Sequence, residues 1–229
     1  MLTQTAVRTG SLNQPTRAHL PHLPPAAVRS VGGTLDMMGA QMSFGHNGEI
    51  YGEGEAADYI YRVVSGAVRT YKVLADGRRQ LGGFYLSGDM FGLEPGDEHT
   101  FSAEAIADSK VLVIKRGAVL ARAERDSELA RELWTLTAQE LRRSQDHVML
   151  LIKSAHERVA TFLLEMAERV SDNSAIELPM SRQDIADYLG LTIETVSRTL
   201  SHMEDLAIIE VASRRIVLRN RTALARLNA

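Results

Sequence analysis

The 229-residue chain contains no cysteine. That inventory excludes disulfides, a thiolate nucleophile, a Cys-ligated iron–sulfur cluster and any thiol redox switch on this chain. Proline is scarce and unevenly placed: four of the six, Pro15, Pro21, Pro24 and Pro25, precede residue 31, leaving Pro95 and Pro179 for the remainder. Residues 1–31 therefore read as a loosely packed arm. No stretch approaches the ~20 apolar residues of a membrane span, and the start lacks a basic segment followed by an apolar run. The expectation is a cytoplasmic protein with no membrane partner. There is no G-x-S-x-G, no H-E-x-x-H and no phosphate-cradling glycine loop; Ser65-Gly66 and Gly82-Gly83 are turn glycines. Without an assembled nucleophile, an enzyme is not expected. The seven histidines are scattered, and His19 with His22 is two ligands short of a tetrahedral site, so no metal or other cofactor is expected. Positive charge is also lacking. The net charge is −3, and from residue 156 onward nine Arg and no Lys face eleven Asp plus Glu. Any polyanion partner would have to be met by a local cluster of cations.

What is present suggests two small domains, with 45% apolar residues to supply their cores. Between Gly39 and Lys115 short apolar runs alternate with turn signals. The runs are QMSF, DYIYRVVS, GAVRTYKVL, RRQLGGFYL and KVLVIK, and the turns fall at His46-Asn47-Gly48, Ser65-Gly66, Asp76-Gly77 and Ser87-Gly88-Asp89. This spacing predicts an antiparallel barrel or roll. Val68, Thr70 and Lys72 alternate with Arg69, Tyr71 and Val73, although neither set is cleanly apolar.

Asp126-Ser127 opens a helical tract that runs to about Ile152. Leu133, Thr137, Leu141, Ser144, Val148 and Leu151 recur at spacings of 4, 4, 3, 4 and 3, the rhythm of a coiled-coil seam. These six are the candidate dimer interface. Trp134, Leu136, Met149 and Ile152 lie off the seam and are expected to rest on the roll. A further helix, Ser154 to Val170, offers Val159, Phe162, Leu163 and Met166 for packing under the C-terminal segment. SDNSA then makes a loop, and Ile176 to Met180 a short strand.

From Ser181 to Met203 the chain reads SRQDIADYLGLTIETVSRTLSHM. Ile185, Ala186 and Leu189 line one face of a first helix, and Val196, Leu200 and Met203 one face of a second. Ser181 and Asp184 have the form of a capping box, while Thr192 sits where its hydroxyl can accept from the first free amides of the second helix. Gly190 marks the corner, where the missing Cβ permits positive φ. The pattern predicts a helix-turn-helix. Glu194, Ser197 and Arg198 share the face opposite Val196 and Leu200. Arginine can pair with guanine O6 and N7, a carboxylate can accept from cytosine N4, and a serine hydroxyl or the Thr195 methyl can meet thymine. The alternative is a solvated face with a Glu194–Arg198 ion pair. Ala207 to Val211 and Arg215 to Leu218 then suggest a wing around Ala212-Ser213-Arg214, with Arg214, Arg215, Arg219 and Arg221 clustered there. Ser181, Thr192, Thr195, Arg214 and Arg215 are the candidates for contact with the DNA backbone.

The helix-turn-helix resembles that of the Crp/Fnr family of bacterial transcription regulators, E-T-V-S-R at Glu194 to Arg198 resembles its E-x-x-S-R subgroup, and within that subgroup the chain resembles FixK-type regulators. The likeness extends from about Gly48 to Arg221 through EIYGEGEAADYIYRVVSGAVRTYK and GDMFGLEPGDEHTFSAEAI. It implies an α+β chain: an arm (1–31), an antiparallel β-roll of the cupin-like, cyclic-nucleotide-binding type (32–125), a dimerisation helix (126–153) and a winged helix-turn-helix (154–229). It further implies an activator that works as a homodimer on double-stranded DNA, on a TTGAT-N4-ATCAA-like palindrome, and that partners RNA polymerase. Its setting would be low oxygen and nitrogen fixation. By the same resemblance Glu194, Ser197 and Arg198 face the bases, and Ile193 makes a flanking contact.

Family members that bind cyclic nucleotide carry Glu directly after a Phe-Gly pair and, further on, Arg-Ser or Arg-Thr. Here Phe91-Gly92 is followed by Leu93, the later segment reads His99-Thr100-Phe101-Ser102-Ala103, and no Arg lies between Arg79 and Arg116. Leu93 cannot accept from a ribose hydroxyl, and no guanidinium is placed to pair with the phosphate. Cyclic nucleotide is not expected, and the cysteines of cluster-bearing oxygen sensors are missing. A roll gated by some other small ligand is the alternative.

Overall fold

The computed structural model describes residues 33–169 and 175–227. The proline-rich arm, with His19 and His22, and most of the SDNSA segment lie outside the described residues. A single helical turn, α1 (Gly33–Asp36), leads into eight strands: β1 (Gly39–Phe44), β2 (Glu49–Tyr51), β3 (Tyr59–Ser65), β4 (Ala67–Val73), β5 (Arg79–Leu86), β6 (Met90–Phe91), β7 (Ser102–Ala105) and β8 (Ser109–Lys115). They form two antiparallel sheets, β1-β8-β3-β6 and β2-β7-β4-β5. Gly66 joins β3 to β4 at φ 88°, and a Cβ there would fall 2.3 Å from Ser109 Oγ, so the turn requires glycine. The apolar runs of the sequence became strands. The short β2, β6 and β7 were not foreseen, because two to four residues carry too little alternation to register.

The mixed character of β4 has a physical reason. Its first four residues, Ala67 to Thr70, are all buried. Val68 packs into the roll interior, whereas Ala67 packs with Leu81, Phe84 and Ile106 against the C-terminal helices. A strand covered on both sides loses the in-and-out alternation of a half-exposed one.

After α2 (Arg116–Ala123) comes α3 (Ser127–Leu151), capped by Asp126, whose side chain accepts from the Leu129 amide at 3.2 Å. Leu129, Leu136 and Leu150 are buried along one face of α3, and Glu140 on that face accepts from Tyr85 Oη at 2.8 Å. Of the four residues expected on the roll, Leu136 packs there. Trp134, Met149 and Ile152 are instead 76%, 57% and 74% exposed, and they share solvent with Leu141 and Val148. At ~100° per residue, positions 134 and 136 point to opposite sides of one helix.

The C-terminal unit is α4 (Ala155–Arg169), β9 (Ala175–Glu177), α5 (Arg182–Leu189), α6 (Ile193–Asp205), β10 (Ile209–Ala212), β11 (Arg215–Leu218) and α7 (Arg221–Arg226), with sheet order β10-β11-β9. Val159, Phe162, Leu163 and Met166 of α4 are buried beneath α5 and α6. The strand expected to reach Met180 stops at Glu177, two residues before Pro179, which has no amide to continue a ladder. Helix α7, not foreseen, is capped by Asn220 and anchored by the fully buried Leu224.

Candidate nucleic-acid interface

Both helix starts of the reading unit are closed by side chains. Ser181 Oγ accepts from the Asp184 amide at 3.1 Å, and Asp184 Oδ2 accepts from the Ser181 amide at 3.0 Å, completing a capping box. Thr192 Oγ1 accepts from the Thr195 amide at 3.2 Å to open α6. Gly190 ends α5 in the left-handed region at φ 61°. Arg158 of α4 steadies this corner, with Nη1 donating to Leu189 O and Nε to Lys153 O, both at 2.8 Å. Val196, Thr199, Leu200 and Met203 are buried, so one stripe of α6 meets its packing needs.

The opposite stripe faces out. Ile193, Glu194 and Arg198 are exposed and Ser197 is half-buried. Among the described residues no Glu194–Arg198 ion pair forms, leaving both side chains open to a partner. The Glu194 carboxyl is held below its ordinary value, first by the backbone amide at the helix start, next by the Thr192 hydroxyl and last by the Arg198 charge. It therefore stays an acceptor at neutral pH. Ser181, Thr192, Arg214 and Arg215 are exposed, and Thr195 is half-buried.

The arginines after α6 do not act as one group. Arg219 is ion-paired with Glu210, and Arg221 lies 3.7 Å from Glu168, whereas Arg214 and Arg215 make no ion pair among the described residues. Sequence reasoning missed Arg182, the first residue of α5, whose Nη1 lies 3.5 Å from Ser197 Oγ on α6. Only the packing of the two helices brings this exposed cation beside the outward stripe. It also missed the tie between the roll and α5, in which Arg69 and Arg79 reach Asp184 and Asp187.

The roll interior is filled by aromatic rings. Tyr51, Tyr61, Tyr85 and Phe91 are buried together, with neighbouring centroids 5.0–6.2 Å apart, and His99 stacks on Tyr51 at 3.6 Å. Burial pushes the Tyr61 phenol up to about 12 and raises Tyr51 and Tyr85 further, so these groups stay neutral. His99 is 2% exposed, and burial lowers its pKa against the opposing pull of Glu94, whose Oε1 lies 3.6 Å from Nδ1. Glu94 itself accepts from Thr100 Oγ1 at 3.0 Å. Leu93 is half-buried against the cluster that includes Leu129 and Leu136 of α3.

An outward-facing helix in an N-capped helix-turn-helix beside a β-hairpin, borne on a β-roll, defines a winged-helix DNA-binding regulator. The comparisons agree. Residues 157–227 match the Crp-like helix-turn-helix domain and residues 41–126 the cyclic nucleotide-binding domain. The nitrogen fixation regulation protein FixK of Azorhizobium caulinodans is 48% identical over 84% of this chain and 80% of its own length. FixK of Rhizobium meliloti is 42% identical, over 74% and 77%. The structure of FixK2 from Bradyrhizobium japonicum superposes with a TM-score of 0.81 at 53% identity, over 83% of this chain and 98% of that one. The chain belongs to the Crp/Fnr family of transcription regulators and is FixK-like within it. The family is one of DNA-binding regulators rather than enzymes, and among the described residues no helix is long and apolar enough to cross a membrane.

Proposed function

We propose that this protein is a homodimeric transcription activator of the cytoplasm that reads a TTGAT-N4-ATCAA-like palindrome without cyclic nucleotide, acts when oxygen is low and touches RNA polymerase. The observation that carries the DNA reading is the outward stripe of α6, where Glu194 and Arg198 are exposed and Ser197 is half-buried while the opposite stripe is buried. Ile193 borders that stripe, and Ser181, Thr192, Thr195, Arg214 and Arg215, joined by Arg182, are the phosphate contacts of this proposal. The dimer reading rests on the solvent face of α3, where Leu141 and Val148 are exposed with Trp134 and Ile152, flanked by Thr137 and Ser144 and bordered by the half-buried Leu133 and Leu151. A two-fold pair sets its recognition helices about 34 Å apart, one turn of DNA. Independence from cyclic nucleotide is supported by the aromatic filling of the roll and by Leu93. The oxygen and nitrogen-fixation setting rests on likeness to the FixK proteins.

Fluorescence anisotropy against the palindrome and a scrambled duplex at fixed salt, with and without cyclic AMP, tests this. Selective binding that ignores the nucleotide is expected. Binding that needs the nucleotide would overturn the ligand-free reading, and no selectivity would overturn the operator. One observation favours a second reading, a roll gated by an unidentified small ligand: both ring nitrogens of buried His99 lack a hydrogen-bond partner. Selectivity that appeared only with cell extract metabolites would support that reading.

A further inference from the structure

Arg69 sits on the outer side of β4 and is 7% exposed. A guanidinium this deep needs acceptors on several sides. Its Nη2 donates to Glu104 Oε2 at 2.9 Å and to Asn47 Oδ1 at 3.2 Å, both within the roll. Its Nη1 crosses to the DNA-binding unit and donates to Asp184 Oδ1 at 2.8 Å. Asp184 is 2% exposed and divides its two oxygens between two tasks. Oδ2 accepts from the Ser181 amide and hydroxyl and closes the N-terminus of α5. Oδ1 takes Arg69 and, also at 2.8 Å, Nη2 of Arg79 on β5, whose Nε lies 3.2 Å from Asp187 on the next turn of α5.

Capping needs only Oδ2, so the second pair of bonds serves something else. Apolar side chains would seal this junction at least as cheaply, because buried ion pairs add little net stability; what directed charge-assisted bonds add is a defined angle. Rotation of α5 on the roll would leave Arg69 or Asp184 buried without its full set of partners. The covalent link from α3 to α4 is short, residues 152–154, and cannot fix that angle alone.

We infer that Arg69, acting through Asp184, is a positioning residue that sets the angle of the helix-turn-helix on the roll and thereby the half-site spacing the dimer accepts. This rests on the operator reading above. Adding one base pair between half-sites turns one of them by roughly 35° and moves it ~3.4 Å. Anisotropy with N3, N4 and N5 spacers should show the parent losing at least about tenfold in affinity away from its preferred spacing. In Arg69→Gln that loss should shrink to within about threefold while preference for the half-site sequence persists. A change that merely weakened the fold would lower the active fraction and scale all three spacers alike.

A folded Arg69→Gln with parental spacer discrimination would overturn the inference. Should Arg69→Gln not fold, Asp184→Asn keeps an acceptor for the cap while weakening the clamp, and the same two outcomes apply. If the parent selects no operator, the function proposed above fails separately, and hydrogen exchange decides the positioning role. Amides of α5 from Ile185 onward, which carry intrahelical bonds, should be protected like those of β4 in the parent and lose protection in Asp184→Asn although the cap keeps its acceptor; unchanged protection would overturn it.

Discussion

Arg198 shows what one exposed side chain decides. With no carboxylate pairing it among the described residues, its guanidinium is free for the base contact proposed above. Arg198→Ala should cost about 1–3 kcal/mol per half-site and relax the preference for guanine there. Arg215 on the wing should behave differently: Arg215→Ala is expected to weaken every sequence alike and to flatten the dependence of affinity on salt, because the phosphate contact proposed for it would carry no sequence information. Salt titrations of both variants on operator and scrambled DNA separate the two roles. His99 makes a prediction of another kind. Burial holds its pKa below the ordinary value near 6.5, so the unfolded chain takes up a proton at a higher pH than the folded one does. Stability contributed by the neutral ring is complete above that ordinary value and is lost as pH falls from it toward the folded pKa. Urea midpoints measured from pH 7.5 to 5.5 should fall, and His99→Phe should lessen that decline while keeping a ring on Tyr51.

At the scale of elements, α3 divides its two long faces between two duties. Leu129, Leu136 and Leu150 are spent on its own chain, and Glu140 on Tyr85. The other face leaves Trp134, Leu141, Val148 and Ile152 exposed in a row at helical spacing, the feature on which the proposed dimer rests. Leu141→Asp places a charge at the centre of that row and should shift the protein toward monomer, with affinity for the full palindrome falling toward that of a single half-site. Light scattering would show it, and an unchanged mass would remove this face from the interface. The heptad rhythm along α3 was legible in the sequence, but which residues went to which partner was not. Trp134, Met149 and Ile152 looked as suited to the roll as Leu136 does, since hydrophobicity alone does not name the surface that covers it.

For the whole molecule, the decisive junction is between roll and reading head. Phe84 of β5 is 2% exposed and lies 5.1 Å from the Tyr188 ring of α5 and 6.1 Å from the Phe162 ring of α4. Its carbonyl accepts from Arg169 Nη2 at 2.8 Å, and His147 of α3 stacks on the far side of the junction, 4.1 Å from Tyr188. Three helices and a sheet therefore share one core, and the two units are expected to unfold together. Phe84→Ala should cost about 3–5 kcal/mol and split a single calorimetric transition into two, as the roll and the helix-turn-helix lose their common packing. One transition at a lower temperature would mean that the polar ties suffice to couple them.

The sequence by itself determined the helix-turn-helix down to its caps: Ser181 with Asp184, Thr192 with Thr195, and Gly190 at the corner. Each of these acts across no more than three residues, so local chemistry suffices to specify them. The hairpin at Asp76-Gly77 and the start of α3 at Asp126 were legible for the same reason. Only the tertiary structure decided that β4 is buried on both sides, that aromatic rings fill the roll, and that Arg182 stands beside Ser197. It also placed Arg69 against Asp184, 115 positions away. Neither residue carries a local sign of the other, because a buried ion pair is specified by which surfaces meet, and that is settled by the packing of the whole chain.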